Sequence, residues 1–400
     1  MNQINAVTLA LKALRHKPLS TMLNLLLMAI GIGMMTFVLS AASQLEDTAT
    51  RDADGIDLVV GAKGSPLQLI MSSIFHIDIP TGNIPLSAQA ELQANPMVLQ
   101  VIPLALGDSF QGFRIVGTSH DYIDHYGGQL AQGQLYAQPM EAVFGAQAAS
   151  AAGAVVGASF AGSHGLAMGG EEHKHAPYKV VGILKPTGTV LDRLVLTSVA
   201  SVWRVHETDP DEAPAVHNDA DRELTALLVS YASPLAVVSL PRWVNQQARL
   251  QAAQPALEAA KLFRIVGAGA EVLRAIAAGV LLVAALSMFV ALYNALEERR
   301  TDLAILRTLG APPGKLFRQM LAQGLLLAMG GAALGWVLGH VGIAILSRML
   351  AADQNLSLAP WTIDPSEVWL LLVTLAVGLL ASVIPAVRAY RTDIAQTLAR

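Results

Sequence analysis

Four hundred residues at 42.1 kDa would ordinarily make about two or three soluble domains, yet hydrophobic residues reach 53%, charged residues only 14%, and the mean hydropathy is +0.48. A soluble globular chain carries about 25% charged residues, so the composition excludes a soluble enzyme, a disordered tail and a coiled coil, and it requires an integral membrane protein. A net charge of −4 with pI ≈ 6.2 gives nucleic acid no basic face, and the absence of cysteine removes disulfides, thiolate metal sites and cysteine nucleophiles.

In chain order, residues 1–18 form a basic stub with Lys12, Arg15 and Lys17. Residues 19–43 are uncharged and long enough for the roughly 20 apolar residues that a helical span needs. A cleaved signal is the rival for this run, with Ser40-Ala41-Ala42-Ser43 as its cleavage site, but a signal's apolar core is only about 7–15 residues long. Retention as an anchor is therefore the expectation. Residues 44–270 read as an α/β domain, with the helix of the first span continuing outward to residue 51. β-rich runs recur at 56–60, 98–104, 113–116, 178–184, 193–197 and 224–231, punctuated by Pro80-Thr81-Gly82-Asn83 and Lys185-Pro186-Thr187-Gly188. Between 241 and 265, Trp243, Leu250, Ala253, Leu257 and Ala260 recur at helical spacing, which predicts a helix running towards the second span.

Three further spans follow at 271–296, 319–346 and 368–388. They are separated by a loop at 297–318 and another at 347–367, and followed by a tail at 389–400. The first of these loops carries Arg299, Arg300, Arg307, Lys315 and Arg318, the last span ends on Arg388, and the tail carries Arg391 and Arg400. The loop at 347–367 has only Arg348. Positive residues stay in the cytoplasm, so both termini and 297–318 are expected there. The fold expected is membrane α-helical, four transmembrane helices with an α/β extracytoplasmic domain inserted between helices 1 and 2.

The segment from Glu298 through Arg299, Arg300, Asp302, Leu303, Leu306, Arg307 and Leu309 is short, basic and amphipathic, and Gly310 and Pro312-Pro313 end it. It suits a headgroup-lying loop or a helix that docks in another protein's groove. Gly331, Gly335 and Gly339 make two small-xxx-small steps in the third span, where another helix can approach closely, within the subunit or across a dimer. His340, one residue beyond, reads as a packed or interfacial histidine. Walker A needs G-x-x-x-x-G-K-[ST]. The nearest stretch, Gly310-Ala311-Pro312-Pro313-Gly314-Lys315-Leu316, is one residue short, loses amides to two prolines and ends on leucine. ATP and Mg²⁺ are therefore expected on a separate partner. Ser109 and Ser159 lack a G-x-S-x-G context, so no catalytic residue is expected. In the polar loop 163–177, His164, His173 and His175 with Glu171 (or Glu172) offer imidazole and carboxylate donors that suit Zn²⁺. A solvated loop with incidental histidines is the alternative.

The coupling segment, the glycine-rich third span and Pro385-Ala386-Val387-Arg388-Ala389 resemble the C-terminal half of the FtsX/MacB permease family. Within the domain, Ala142-Val143-Phe144-Gly145 with Val156-Gly157-Ala158-Ser159-Phe160 resembles a family stretch. Val180-Val181-Gly182-Ile183-Leu184-Lys185-Pro186-Thr187-Gly188 resembles another. The resemblance implies the permease subunit of an ABC transporter in a bacterial inner membrane, paired with an ABC ATPase and working as a homodimer or heterodimer. It also implies a periplasmic or outer-membrane partner and mechanical transmission through a stalk, with no cofactor on this chain. The competing expectations are a zinc-linked envelope transporter or sensor and an ordinary channel-forming permease.

Overall fold

The computed structural model describes residues 6–165, 173, 175–207, 222–298, 312–354 and 358–391. Their helices in chain order are α1 (Ala6–His16), α2 (Pro18–Ala53), α3 (Pro66–Ser73), α4 (Ser87–Gln93), α5 (His120–His125), α6 (Ala146–Ala152), α7 (Val199–Glu207), α8 (Ala236–Gln246), α9 (Pro255–Glu298), α10 (Pro313–Gln354) and α11 (Pro365–Arg391). α2, α3, α9, α10 and α11 each begin on proline, whose missing N–H falls where a helix has no internal acceptor. Two units divide the fold, one within Met1–Leu45, Ile265–Met349 and Ser357–Arg400, the other within Glu46–Arg264 and Leu350–Leu356.

Among the described residues, four helices are long and apolar enough to cross a membrane: Pro18–Ala53, Pro255–Glu298, Phe317–Ala351 and Pro365–Tyr390. Met28 and Ile32 of α2 meet Ala284, Met288 and Leu292 of α9, Leu327, Ala328 and Ala332 of α10 and Leu370 of α11. The α9 residues recur every four positions, so one stripe of that helix faces the bundle. The basic stub contains a helix of its own. α1 buries Ala10 and packs Leu14 on the bundle, while Val7, Leu11, Lys12 and Arg15 stay exposed.

The second unit is built on a mixed sheet. Its strands are β1 (Leu58–Ala62), β2 (Ile84–Pro85), β3 (Val98–Phe110), β4 (Phe113–Thr118), β5 (Leu130–Gly133), β6 (Glu141–Phe144), β7 (Ser159–Phe160), β8 (Ser163–His164), β9 (Tyr178–Leu184), β10 (Leu194–Ser198), β11 (Glu223–Leu224), β12 (Ala226–Tyr231) and β13 (Leu250–Ala253). The order is β13-β1-β12-β3-β4-β10-β6-β9-β5, with β7 on β9, β8 on β3, and β2 paired to β11. β10 runs parallel to β4 and β9 parallel to β6, and these pairings need crossover connections; α6 lies in the second.

Alternation along each strand sends side chains to opposite faces. Val59, Ala226 and Leu228 join one core with Leu69 and Ile70 of α3 and Tyr122 and Ile123 of α5. Leu58, Val60, Leu227 and Val229 join the other with Leu92 of α4 and Leu240 and Val244 of α8.

The helix predicted across 241–265 is instead three elements. α8 ends at Gln246, Leu250–Ala253 form the edge strand β13, and α9 starts at Pro255. Spacings of three, four and seven fit a helix, but Ala252 pairs with Val60 and Ala253 with Val59, which fixes the backbone as a ladder. Asn245 Oδ1 accepts the Ala252 N–H at 2.9 Å, and proline at 255 disfavours helix in the residue before it.

Candidate functional site: the coupling segment and the glycine ridge

Of the residues expected to couple to a partner, only Glu298 falls among the described ones. Arg299, Arg300, Asp302, Leu303, Leu306, Arg307 and Leu309 lie outside them. Glu298 ends α9 and forms an ion pair with Lys17, just ahead of α2. Exposed pairs of this kind contribute at most about 1 kcal/mol, so apolar packing is the main brace. Leu296, Met320, Ala386 and Ala389 bury together with Phe317 and Leu321 against them. Arg388 donates to Tyr293 Oη, and its guanidinium sits 4.8 Å from the centre of that ring. The C-terminal ends of α9 and α11 and the start of α10 are thus cross-braced.

The three glycines of α10 all face α2. A Cβ at Gly331 would stand 2.6 Å from Met28 Cβ, one at Gly335 2.6 Å from Ile32 Cβ, and one at Gly339 2.7 Å from Thr36 Cβ. The approach is mutual, because a Cβ at Gly33 would meet Gly335 O at 3.1 Å. On another side of α10, a Cβ at Gly324 would stand 2.6 Å from Ser382 Cβ of α11. Backbone contact on two sides leaves α10 little freedom to rotate independently of α2 and α11.

The predicted zinc ligands are placed differently from one another. Glu171 and the side chain of His164 lie outside the described residues. His173 is buried, with Nε2 3.5 Å from Asp108 Oδ1, while His175 is exposed and meets the His173 ring edge-on at 5.5 Å. Among the described residues, no three His, Asp or Glu side chains converge to hold a metal ion. Ser109 is buried in β3 and Ser159 lies exposed in β7.

Sequence reasoning passed over a buried polar knot in the same unit. Arg193 donates to Asp52 Oδ2 at 2.7 Å and to the Phe75 carbonyl, and Tyr126 Oη donates to the Asp52 carbonyl at 2.6 Å. Asp52 is the penultimate residue of α2, so this knot fixes the last turn of the helix that begins at Pro18. Burial raises the Asp52 carboxyl above its usual range, an effect that Arg193 opposes. Nearby, His76 shares a 3.0 Å hydrogen bond with Tyr122 Oη, and burial holds the imidazole well below its usual pKa, aided by Arg114 and Arg193. The sequence carried no signal for the knot, because Asp52 stands among Glu46, Asp47, Arg51, Asp54 and Asp57, and only the fold singles it out for burial.

Comparison with known proteins now bears on this architecture. A model of the MacB-like periplasmic core domain matches residues 21–260, and a model of the FtsX-like permease C-terminal region matches residues 274–394. No curated protein matches. Among solved structures, the periplasmic region of MacB from Actinobacillus actinomycetemcomitans is similar at 13% identity, covering 52% of this chain and 95% of that one, with a TM-score of 0.34. The extracellular domain of the noncanonic ABC-type transporter YknZ from Gram-positive bacteria is similar at 13% identity, covering 50% and 99%, with a TM-score of 0.31.

Proposed function

Because this chain belongs to the FtsX/MacB family of ABC-transporter permeases, whose ATPase activity lies in a partner subunit, we propose that it converts ATP hydrolysis on that partner into movement of its domain outside the cell membrane. The observation that carries the reading is the combination of both family models on one chain, joined by two uninterrupted helices. α2 leads from the first spanning segment to Asp52, and α9 leads from Pro255 back to Glu298 at the edge of the coupling segment. In this reading the ATPase grips residues 298–309, with Leu303, Leu306 and Leu309 as apolar anchors and Arg299, Arg300 and Arg307 as flanking charges. The glycine ridge makes α10 and α2 move together, and the Asp52–Arg193 knot passes that movement into the sheet. The termini and the coupling segment face the cytoplasm of a bacterial inner membrane, and two permease copies work with the ATPase. A periplasmic or outer-membrane partner receives the movement.

The test is substitution within the segment. Leu306→Asp, or charge reversal at Arg299, Arg300 or Arg307, removes an anchor of a helix-in-groove contact, typically worth ~2 kcal/mol or more. These variants should insert normally yet lose ATPase capture and permease-dependent ATP hydrolysis. Full capture and full activity in all of them would remove the segment from the coupling role.

A further inference from the structure

His340 and Glu367 are ionisable residues at one end of the bundle, where α2 leaves it, and both are almost completely buried, at 0% and 1% exposure. Their hydrogen bonds define a proton count. His340 Nδ1 lies 2.6 Å from the Pro360 carbonyl oxygen, which can only accept, so Nδ1 carries a hydrogen. His340 Nε2 then faces Glu367 Oε2 at 3.3 Å. A neutral imidazole protonated at Nδ1 offers a lone pair at Nε2, and an ionised carboxylate also offers only lone pairs. The contact therefore needs one further proton between the two atoms.

The surroundings hold the two side chains in place. Trp336 Nε1 donates to the same Oε2 at 2.8 Å. The ring of His340 lies between Trp336, with centroids 4.4 Å apart, and Trp361, stacked at 5.7 Å and 22°. Other charges are few among the described residues. Asp364 accepts from the Ser366 N–H and from Ser43. Arg348 on α10 is exposed, α2 has no charged residue between Lys17 and Glu46, and α9 has none between Arg274 and Glu297.

We propose that His340 and Glu367 form a proton-binding site that locks the segment 358–364 onto the ends of α2, α10 and α11. The same segment is held to α10 by Ser347, whose hydroxyl donates to the Leu358 carbonyl and accepts its N–H, both at 2.9 Å. It is held to α2 by Gln44, whose side-chain oxygen accepts the Ala359 N–H at 2.8 Å. With the proton bound, the pair is net neutral and every one of these bonds is compatible with burial. Removing the proton leaves a buried carboxylate opposed to a lone pair. The segment must then lift to bring water to Glu367.

The chain has no cysteine, so a single introduced thiol reports on the segment. Leu358→Cys replaces a side chain that is 5% exposed, and Leu99→Cys, at a position 73% exposed, provides the reference for thiol ionisation. Maleimide labelling of the full chain in membranes is followed from acid to alkaline pH. The corrected rate at Leu358→Cys is expected to be slow at low pH, to rise with pH by at most roughly tenfold per pH unit, the slope of one proton, and then to level off. Glu367→Gln should remove the slope, because it leaves no carboxylate at this position to share a proton with His340 Nε2. His340→Gln, needed if that variant does not insert, should remove it too, and Asp364→Asn should keep it. A flat corrected rate in the parent, or a slope that survives Glu367→Gln or His340→Gln, overturns the proton site.

Discussion

Placing a methyl group at Gly335 tests how closely α10 and α2 pack. The new Cβ would stand 2.6 Å from Ile32 Cβ and 2.9 Å from the Ala29 carbonyl oxygen, closer than such atoms can rest, and one of those neighbours is backbone. Alanine in place of glycine inside a helix gains about 1 kcal/mol in intrinsic propensity, while overpacking a close contact costs about 1–3 kcal/mol. Gly335→Ala should therefore be about 0–2 kcal/mol less stable than the parent. Gly279→Ala supplies the control, because a Cβ there meets nothing within 4 Å on α9 and keeps the whole propensity gain. The two variants should differ by about 1–3 kcal/mol, in favour of Gly279→Ala. Thermal unfolding of the detergent-purified chain, followed by loss of the monodisperse chromatographic peak, measures the difference. If Gly335→Ala raises the transition as much as Gly279→Ala does, the backbones are not in contact there and the ridge argument fails.

Arg193→Met strands the Asp52 carboxylate in the core and should cost about 3–5 kcal/mol, whereas Asp52→Leu combined with Arg193→Met should come close to the parent. Equal losses in denaturant titrations would deny the pair its role. His76 is held neutral in the fold below its usual pKa of 6.5, so the unfolded chain binds the proton first. The stability this residue contributes is present above about 6.5 and lost as pH falls below it. A pH series of unfolding transitions should show that decline, and His76→Gln should flatten it; an unchanged slope in the variant would assign it elsewhere. A phosphatase fused near Asp219 should be active and one near Gly310 silent, and the reverse pattern would invert the proposed topology.

The four long helices were legible because the bilayer demands a run of apolar residues, a signal that no tertiary contact can imitate. Tyr178–Leu184 was legible for a similar local reason, an apolar and β-branched run bounded by Pro177 and Lys185-Pro186, although it lacks a clean two-residue alternation. The short edge elements were not. Leu250–Ala253 owes its strand to its neighbour β1, and four residues carry too little pattern to separate a period of two from one of 3.6. α1 escaped notice because a basic stub beside a membrane span draws attention to its charge rather than to Ala10 and Leu14 on one side. The glycines of α10 announced a close helix contact by spacing alone, but the identity of the facing helix is a tertiary fact. The same holds for His340 and Glu367, which are 27 residues apart in sequence and meet only because the segment before α11 folds back against α10.

The most direct measurement of the coupling claim follows one distance through the ATP cycle. Spin labels at Leu99→Cys in the domain and Met349→Cys near the end of α10 occupy positions 73% and 60% exposed in a chain with no other thiol. In membranes with its ATPase, the label-to-label distance distribution should differ between the nucleotide-free and ATP-trapped states, and Leu306→Asp should erase that difference. Identical distributions in the two states, with the ATPase bound and turning over, would contradict transmission of ATP-driven movement to the outer domain.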